Sequence, residues 1–95
     1  MPAVLAEFSV TPVVSGPIKP FIDMAVQEIE RSGLKHEVGP VGTTVEGNLD
    51  NVLDAIKHAH QAVLDLGADR VVTEIRIDEK KGGLSMAEEI EGYRT

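Results

Sequence analysis

The sequence predicts an α+β fold in which the elements follow one another in the order βαββαβ. Ala3–Val10 and Val71–Asp78 alternate apolar with polar residues, which is the period of a strand. Two longer segments, 17–32 and 49–66, repeat apolar residues at helical spacing, and two short β-branched segments lie between them. This is the order of a ferredoxin-like sandwich, in which two helices cover one face of a four-stranded antiparallel sheet. With 95 residues the chain can build one modest core, so we expect a single domain over residues 1–95.

The first half of the chain supplies one strand, one helix and a pair of short strands. The first strand is expected over Ala3–Val10, with Thr11-Pro12 terminating it. The first helix is expected to begin at Pro17, because proline suits a first helical turn. The two short strands are predicted over Leu34–Val38 and Val41–Glu46. Gly39-Pro40 lies between them and favours a hairpin connection.

The second half supplies a helix, a strand and a short C-terminal helix. Asn48 or Asp50 can cap the second helix, and Gly67 closes it. After the fourth strand, the segment LSMAEEIEGYR predicts a short helix with Ser85 as its cap and Glu88 completing a capping box. The apolar face of this helix is small, so we expect it to dock on another surface.

Composition and charge limit the classes of partner. The chain is 42% hydrophobic and 26% charged, as is usual for a globular protein. It has 16 acidic and 9 basic residues, a net charge of −7, and only three aromatic residues. Nucleic acid and anionic membranes require a basic surface, and base stacking requires aromatic side chains, so neither is an expected partner. A cationic or neutral small molecule suits the charge better.

Cysteine chemistry is excluded because the chain has no cysteine. The N-terminal segment has no basic region and no run reaches membrane-spanning length, so we expect a cytoplasmic protein. His58 and His60 are two residues apart on a predicted helix and point to different sides, so they do not form a metal site together. No nucleophile stands in a pattern with a base and an orienting partner, so no catalytic residue is predicted.

The candidate binding surface is the face of the sheet that two helices leave uncovered, which we call the open face. By strand alternation it holds Glu7, Ser9, Thr44, Glu46, Glu74 and Arg76. In a ferredoxin-like sheet the first strand lies between the third and fourth, so these carboxylates are expected to form one patch. Like charges on neighbouring strands repel, and Arg76, water or a bound cation would offset that repulsion.

Three interpretations of the open face stay open at this point. It could be a solvated surface with one Glu–Arg pair, since charge on an exposed strand is common. It could bind a small cation. It could also close an oligomer, because Leu5 and Val72 add apolar area to it. The last two are compatible, since binding sites commonly form where subunits meet.

The segments EFSVTPV, PVGTTVEGN, AHQAVLDLGADRVVTEIRID and LSMAEEIEGYR together resemble a family of small thiamine-binding proteins of ferredoxin-like fold. The resemblance covers nearly the whole chain and is most specific in GTTVEG and RVVTEIRID. It implies non-enzymatic binding of thiamine or its hydroxymethylpyrimidine moiety, with no other cofactor, by a homotetramer built from two sheet-paired dimers. It also places Ser9, Thr43 and Glu46 in the family's binding motif. After Asp78 the chain has Glu79, Lys80 and Lys81 where the family suggests an acidic residue and an arginine, so no arginine role is carried over there.

Thiamine combines a cationic thiazolium with an aminopyrimidine edge that donates and accepts hydrogen bonds. We expect Glu46 to bind that edge, assisted by Ser9, and Glu7 or Glu74 to favour the cation. The lack of a basic pocket predicts a preference for the unphosphorylated form.

One of two neighbouring threonines, Thr43 or Thr44, is expected to assist the same site. By alternation Thr43 faces the helices unless a bulge near Gly42 turns it, so the choice stays open. The alternative function is an oligomeric regulatory or structural module that binds another small metabolite, and an enzyme on the same scaffold ranks third.

Overall fold

The computed structural model describes residues 2–93. Its elements, in chain order, are β1 (Val4–Pro12), α1 (Lys19–Ser32), β2 (Lys35–Val38), β3 (Thr43–Gly47), α2 (Leu49–Asp65), β4 (Val71–Asp78) and α3 (Met86–Glu89), followed by a 3₁₀ turn at Glu91–Tyr93. The strands form one antiparallel sheet of order β2-β3-β1-β4. The predicted ferredoxin-like α+β fold with a short C-terminal helix is confirmed.

Several element bounds differ from the predicted ones. β1 runs on to Pro12, because β4 pairs with it as far as the Pro12–Val71 pair. α1 begins at Lys19 rather than at Pro17, and Gly33 ends it in the left-handed conformation (φ 73°) that favours glycine. β3 begins at Thr43 rather than at Val41. β1 therefore extends beyond the start of its neighbour β3.

The helices cover the face of the sheet predicted from the alternation. The buried apolar core consists of Val4, Ala6, Phe8 and Val10 from β1, Val45 from β3, Ala25 and Ile29 from α1, and Val52, Ala55, Ile56, Ala59 and Val63 from α2. α2 starts where the sequence indicates, since the Asn48 side chain accepts a hydrogen bond from the Asn51 amide at 2.8 Å. No helix within residues 2–93 has the length and apolarity needed to cross a bilayer.

The C-terminal segment returns to the sheet beside the start of β1. The Leu84 amide donates to the Ala3 carbonyl at 3.0 Å, and Met86 is only 6% exposed. Ser85 caps α3 as predicted, accepting a hydrogen bond from the Glu88 amide at 3.2 Å. The short helix thus docks on its own sheet.

Candidate functional site

Four polar side chains predicted for the site meet on the open face between β1 and β4. Glu7 lies opposite Arg76, and Ser9 lies opposite Glu74. All four line a shallow hollow of about 280 Å³, with Val41 on its rim. We call Glu7, Ser9, Glu74 and Arg76 the open-face patch. The β1–β4 register brings these four residues together as the sequence predicts.

The charges of the open-face patch are available to a ligand. Glu7, Glu74 and Arg76 are exposed. The ion pairs within residues 2–93 are Lys19–Asp23 and Arg31–Glu28, so Arg76 pairs with neither carboxylate within 4 Å. Two carboxylates and one guanidinium leave the patch with one net negative charge. That balance favours a monocation over an anion.

Glu46 lies toward the other end of the sheet. It is paired with Leu5, and it is a diagonal neighbour of Glu7 at roughly 7–8 Å. Because Leu5 and Ser9 are four residues apart on β1, Glu46 lies about 13 Å along the sheet from the level of Ser9. One carboxylate oxygen of Glu46 accepts a hydrogen bond from the Met86 amide at 2.7 Å. The charge that ends this short strand therefore has a structural partner, the first amide of α3.

The two neighbouring threonines point to opposite faces. Thr43 is opposite Phe8 on the helix side and is 7% exposed. Thr44 is opposite Glu7 and belongs to the open face, where it is half-buried. No bulge interrupts the pairing of β1 with β3, so the orientation expected from alternation holds. Thr43 is thus separated by the sheet from the rest of the predicted site.

Thr43 lines a second hollow, which sequence reasoning missed. This helix-side cavity of about 310 Å³ lies between the start of α1, β1 and the β2–β3 connection. Its lining is mostly apolar and comprises Phe8, Ser9, Val10, Thr11, Ile18, Ile22, Ala25, Val26, Val38, Gly39, Pro40, Val41, Gly42 and Thr43. Apolar residues placed in or beside loops, such as Ile18 and Val41, were the signal available in the sequence.

The cavity and the open-face hollow share lining residues beside a gap in the sheet. β1 pairs with β4 from Leu5 to Pro12, but its pairing with β3 ends at Phe8. Beyond Phe8 the place of a strand is taken by the connection 39–42, closed by a 2.8 Å hydrogen bond from the Gly39 amide to the Gly42 carbonyl. We call this gap beside Ser9–Pro12 the notch. Phe8, Ser9 and Val41 border both hollows.

Gly42 keeps the edge of the notch open. A Cβ at this position would lie 3.0 Å from the Phe8 carbonyl oxygen and 3.3 Å from the Glu7 Cγ. The first distance is too short for an ordinary carbon–oxygen contact, and the carbonyl belongs to a paired strand that cannot easily move. A side chain at residue 42 would therefore require β1 or the connection to move by a few tenths of an ångström, and glycine avoids that shift.

No group of three or more His, Asp or Glu side chains within residues 2–93 is placed to hold a metal ion. His60 instead forms a 2.6 Å hydrogen bond between its Nδ1 and the Thr73 hydroxyl, at the border between α2 and β4.

Fold and surface together define a small ferredoxin-like domain with a hollow on each face of its sheet, both at the same end. The chain belongs to the thiamine-binding protein family, whose model matches residues 6–94.

Relatives of known sequence or structure are similar over most of their length. A UPF0045 protein of Clostridium perfringens is 41% identical over 73 residues, 77% of each chain. A solved structure from Thermotoga maritima, of a protein whose name connects it with thiamine biosynthesis or salvage, is 35% identical with a TM-score of 0.90 and covers 98% of this chain and 100% of that one. A domain of unknown function from Bacillus cereus is 37% identical with a TM-score of 0.92, covering 98% and 91%.

Proposed function

We propose that the protein binds thiamine or its hydroxymethylpyrimidine moiety without catalysing a reaction. The observation that carries the proposal is the open-face patch, in which two unpaired carboxylates and a hydroxyl border one hollow. Membership of the thiamine-binding family and the similarity to the Thermotoga maritima protein support the choice of ligand. No further cofactor is proposed.

Within this proposal the open-face patch recognises the cation. Glu7 lies opposite Arg76, and Glu74 lies opposite Ser9, so the two carboxylates are diagonal neighbours on adjacent strands. A thiazolium near both would offset their mutual repulsion. Ser9 adds a hydroxyl that can accept or donate a hydrogen bond. The roles of Thr44 and Glu46 stay predictions. The second carboxylate oxygen of Glu46 makes no hydrogen bond within residues 2–93, so it is available to a ligand.

The proposal includes assembly into a cytoplasmic homotetramer, a dimer of dimers. The edge strand β4 supports it, because Ile75 and Ile77 on the helix side are 45% and 42% exposed and Val72 on the open face is 44% exposed. Exposed apolar side chains on both faces of an unpaired edge strand are typical of a surface that another chain covers. Light scattering on a size-exclusion column should give four times the mass of one chain, and a monomer would contradict this part.

The binding proposal is tested by isothermal titration of the full chain with thiamine. We expect one ligand per chain, with affinity about two- to fivefold weaker in Glu7→Gln and in Glu74→Gln, because each loses one exposed charge near the cation. Glu79→Gln is the matched control: it removes the same charge just after β4 but does not line the hollow. It should bind as the unmodified protein does.

The outcomes separate the candidate functions. Thiamine recovered unchanged at saturation supports binding without chemistry, and its conversion would support an enzyme. A tetramer that gives no heat with either thiamine or hydroxymethylpyrimidine would favour the alternative, a regulatory or structural module for another small metabolite.

A further inference from the structure

We infer that the groove between the two long helices is a second binding site, separate from the sheet, for a small organic ammonium ion. The C-terminal end of α1 and the N-terminal part of α2 form its walls, and its volume is about 380 Å³, more than that of either hollow beside the sheet. We call it the interhelix groove. None of its lining residues belongs to β1, β3 or β4, so assembly through the β4 edge would leave it accessible.

The interhelix groove exists because small side chains lie where the two helices face each other. Its lining residues recur at three- and four-residue spacing, so on each helix they form one stripe. The stripes consist of Glu28, Arg31 and Ser32 on α1, and of Asn51, Asp54, Ala55 and His58 on α2. Ser32 and Ala55 are small, which leaves space between the two stripes.

Glu28 is the least exposed charged residue of the groove. Its side chain is 17% exposed, and one carboxylate oxygen accepts a hydrogen bond from Nη1 of Arg31 at 3.0 Å. The other oxygen makes no hydrogen bond within residues 2–93. Arg31 therefore offsets the charge of Glu28, and the second oxygen stays available as an acceptor.

Asp54 adds a charge that no residue of the groove offsets. It is exposed and forms no ion pair within residues 2–93. Asn51 and His58 lie one turn to either side of it on the same stripe, and their side chains make no hydrogen bond in the described part of the chain. With His58 neutral, the groove thus has one net negative charge and several free acceptors.

This set of groups fits an ammonium ion attached to a short apolar body. An ammonium carries one positive charge and three donors, which Asp54, the free Glu28 oxygen and the Asn51 amide oxygen can accept. Leu34 and Ala55 offer apolar contact to the rest of the molecule. A metal ion fits less well, because no three His, Asp or Glu side chains within residues 2–93 are placed to hold one. An anion is disfavoured by the charge of the groove and by the net charge of −7.

The experiment is a titration of the full chain with n-butylammonium chloride, followed by the NMR signals of its backbone amides. The signals of residues 51–58 should shift and reach saturation at millimolar ligand, because one exposed charge gives only weak binding. Sodium butanoate at the same ionic strength should leave these signals unchanged.

Variants test whether the charge in the groove is responsible. Asp54→Asn should weaken n-butylammonium about two- to fivefold, because it removes the charge that is not offset. Asp65→Asn is the matched control: it removes the same charge from the same helix, is exposed and lies outside the groove. Thiamine should bind both variants as it binds the unmodified protein, because neither residue lines a hollow beside the sheet.

Three results would overturn the inference. The signals could shift in proportion to salt without saturating, or Asp54→Asn and Asp65→Asn could bind n-butylammonium equally well. Tighter binding of γ-aminobutyrate than of n-butylammonium would show that Arg31 binds a carboxylate and that the site takes a zwitterion. If the unmodified protein does not bind thiamine, the proposed function fails, but this inference is unaffected.

Discussion

The two ends of β1 differ in how completely the rest of the chain covers them. At its start, β1 is paired on both sides, and the C-terminal segment adds hydrogen bonds to Ala3 and Glu46. At its end, β1 is paired only with β4, and the notch, the cavity and the open-face hollow lie around it. We call these the closed end and the open end.

The difference shows that one end of a strand can contribute mainly to stability while its other end contributes to ligand recognition. Buried contacts and satisfied backbone groups at the closed end contribute to stability. At the open end, β1 beyond Phe8 has no partner strand on the β3 side, and the side chains around the two hollows are left available for recognition. Substitutions at the closed end should therefore change unfolding, and those at the open end should change binding.

The largest effect is expected for Met86→Ala at the closed end. Met86 is buried against the sheet, and its truncation should lower the free energy of unfolding by about 2–4 kcal/mol through lost contacts and a cavity. Urea denaturation measures this. Val41→Ala at the open end is the control, since Val41 is 82% exposed and its truncation should change stability by no more than about 0.5 kcal/mol. If both variants lost the same free energy of unfolding, the closed end would not be more important for stability than the open end.

A smaller effect is expected for Glu46→Gln. The amide oxygen of Gln can still accept from Met86, but the bond loses its charge, so stability should fall by roughly 1 kcal/mol. Glu74→Gln at the open end, where the carboxylate has no partner in the described part of the chain, should leave urea denaturation unchanged. If Glu46→Gln unfolds as the unmodified protein does, α3 does not depend on this contact.

The smallest effect concerns phosphorylation of the ligand. The open-face patch has one net negative charge and the whole chain −7, so thiamine diphosphate should bind about threefold more weakly than thiamine at low salt. Raising the salt concentration should bring the two affinities closer together, because the charges of the open-face patch and of the diphosphate are exposed to solvent and are screened by salt. Tighter binding of the diphosphate would contradict the assignment of the open face to a cation.

Strand periodicity predicted the fold and most of the open face. Alternation placed Glu7, Ser9, Glu74 and Arg76 on one face, because side-chain direction in a strand depends only on residue parity. The position of Glu46 along the sheet depends on the register between strands. Register is determined by how the strands pair in the folded protein, so the residue pattern of one strand does not predict it.

The helix-side cavity was missed for a related physical reason. It exists because β1 is longer than its pairing with β3, and the sequence predicted that β1 would stop before Pro12 and that β3 would start at Val41. The predicted end of β1 and the predicted start of β3 were each wrong by two residues. With these bounds the two strands would pair to their ends, so the notch was not predicted.

Pro12, at the end of β1, limits the addition of a strand from another molecule at the notch. An unpaired stretch of strand is a template onto which a strand from another molecule can add, the first step toward aggregation. The Val13 amide donates to the Arg70 carbonyl, so even-numbered residues of β1 direct their backbone groups away from β4, and the nitrogen of Pro12 carries no hydrogen to donate on that side. On this side of β1 beyond Phe8, Val10 is therefore the one residue that offers both a backbone donor and an acceptor, which is too short a template to recruit a strand.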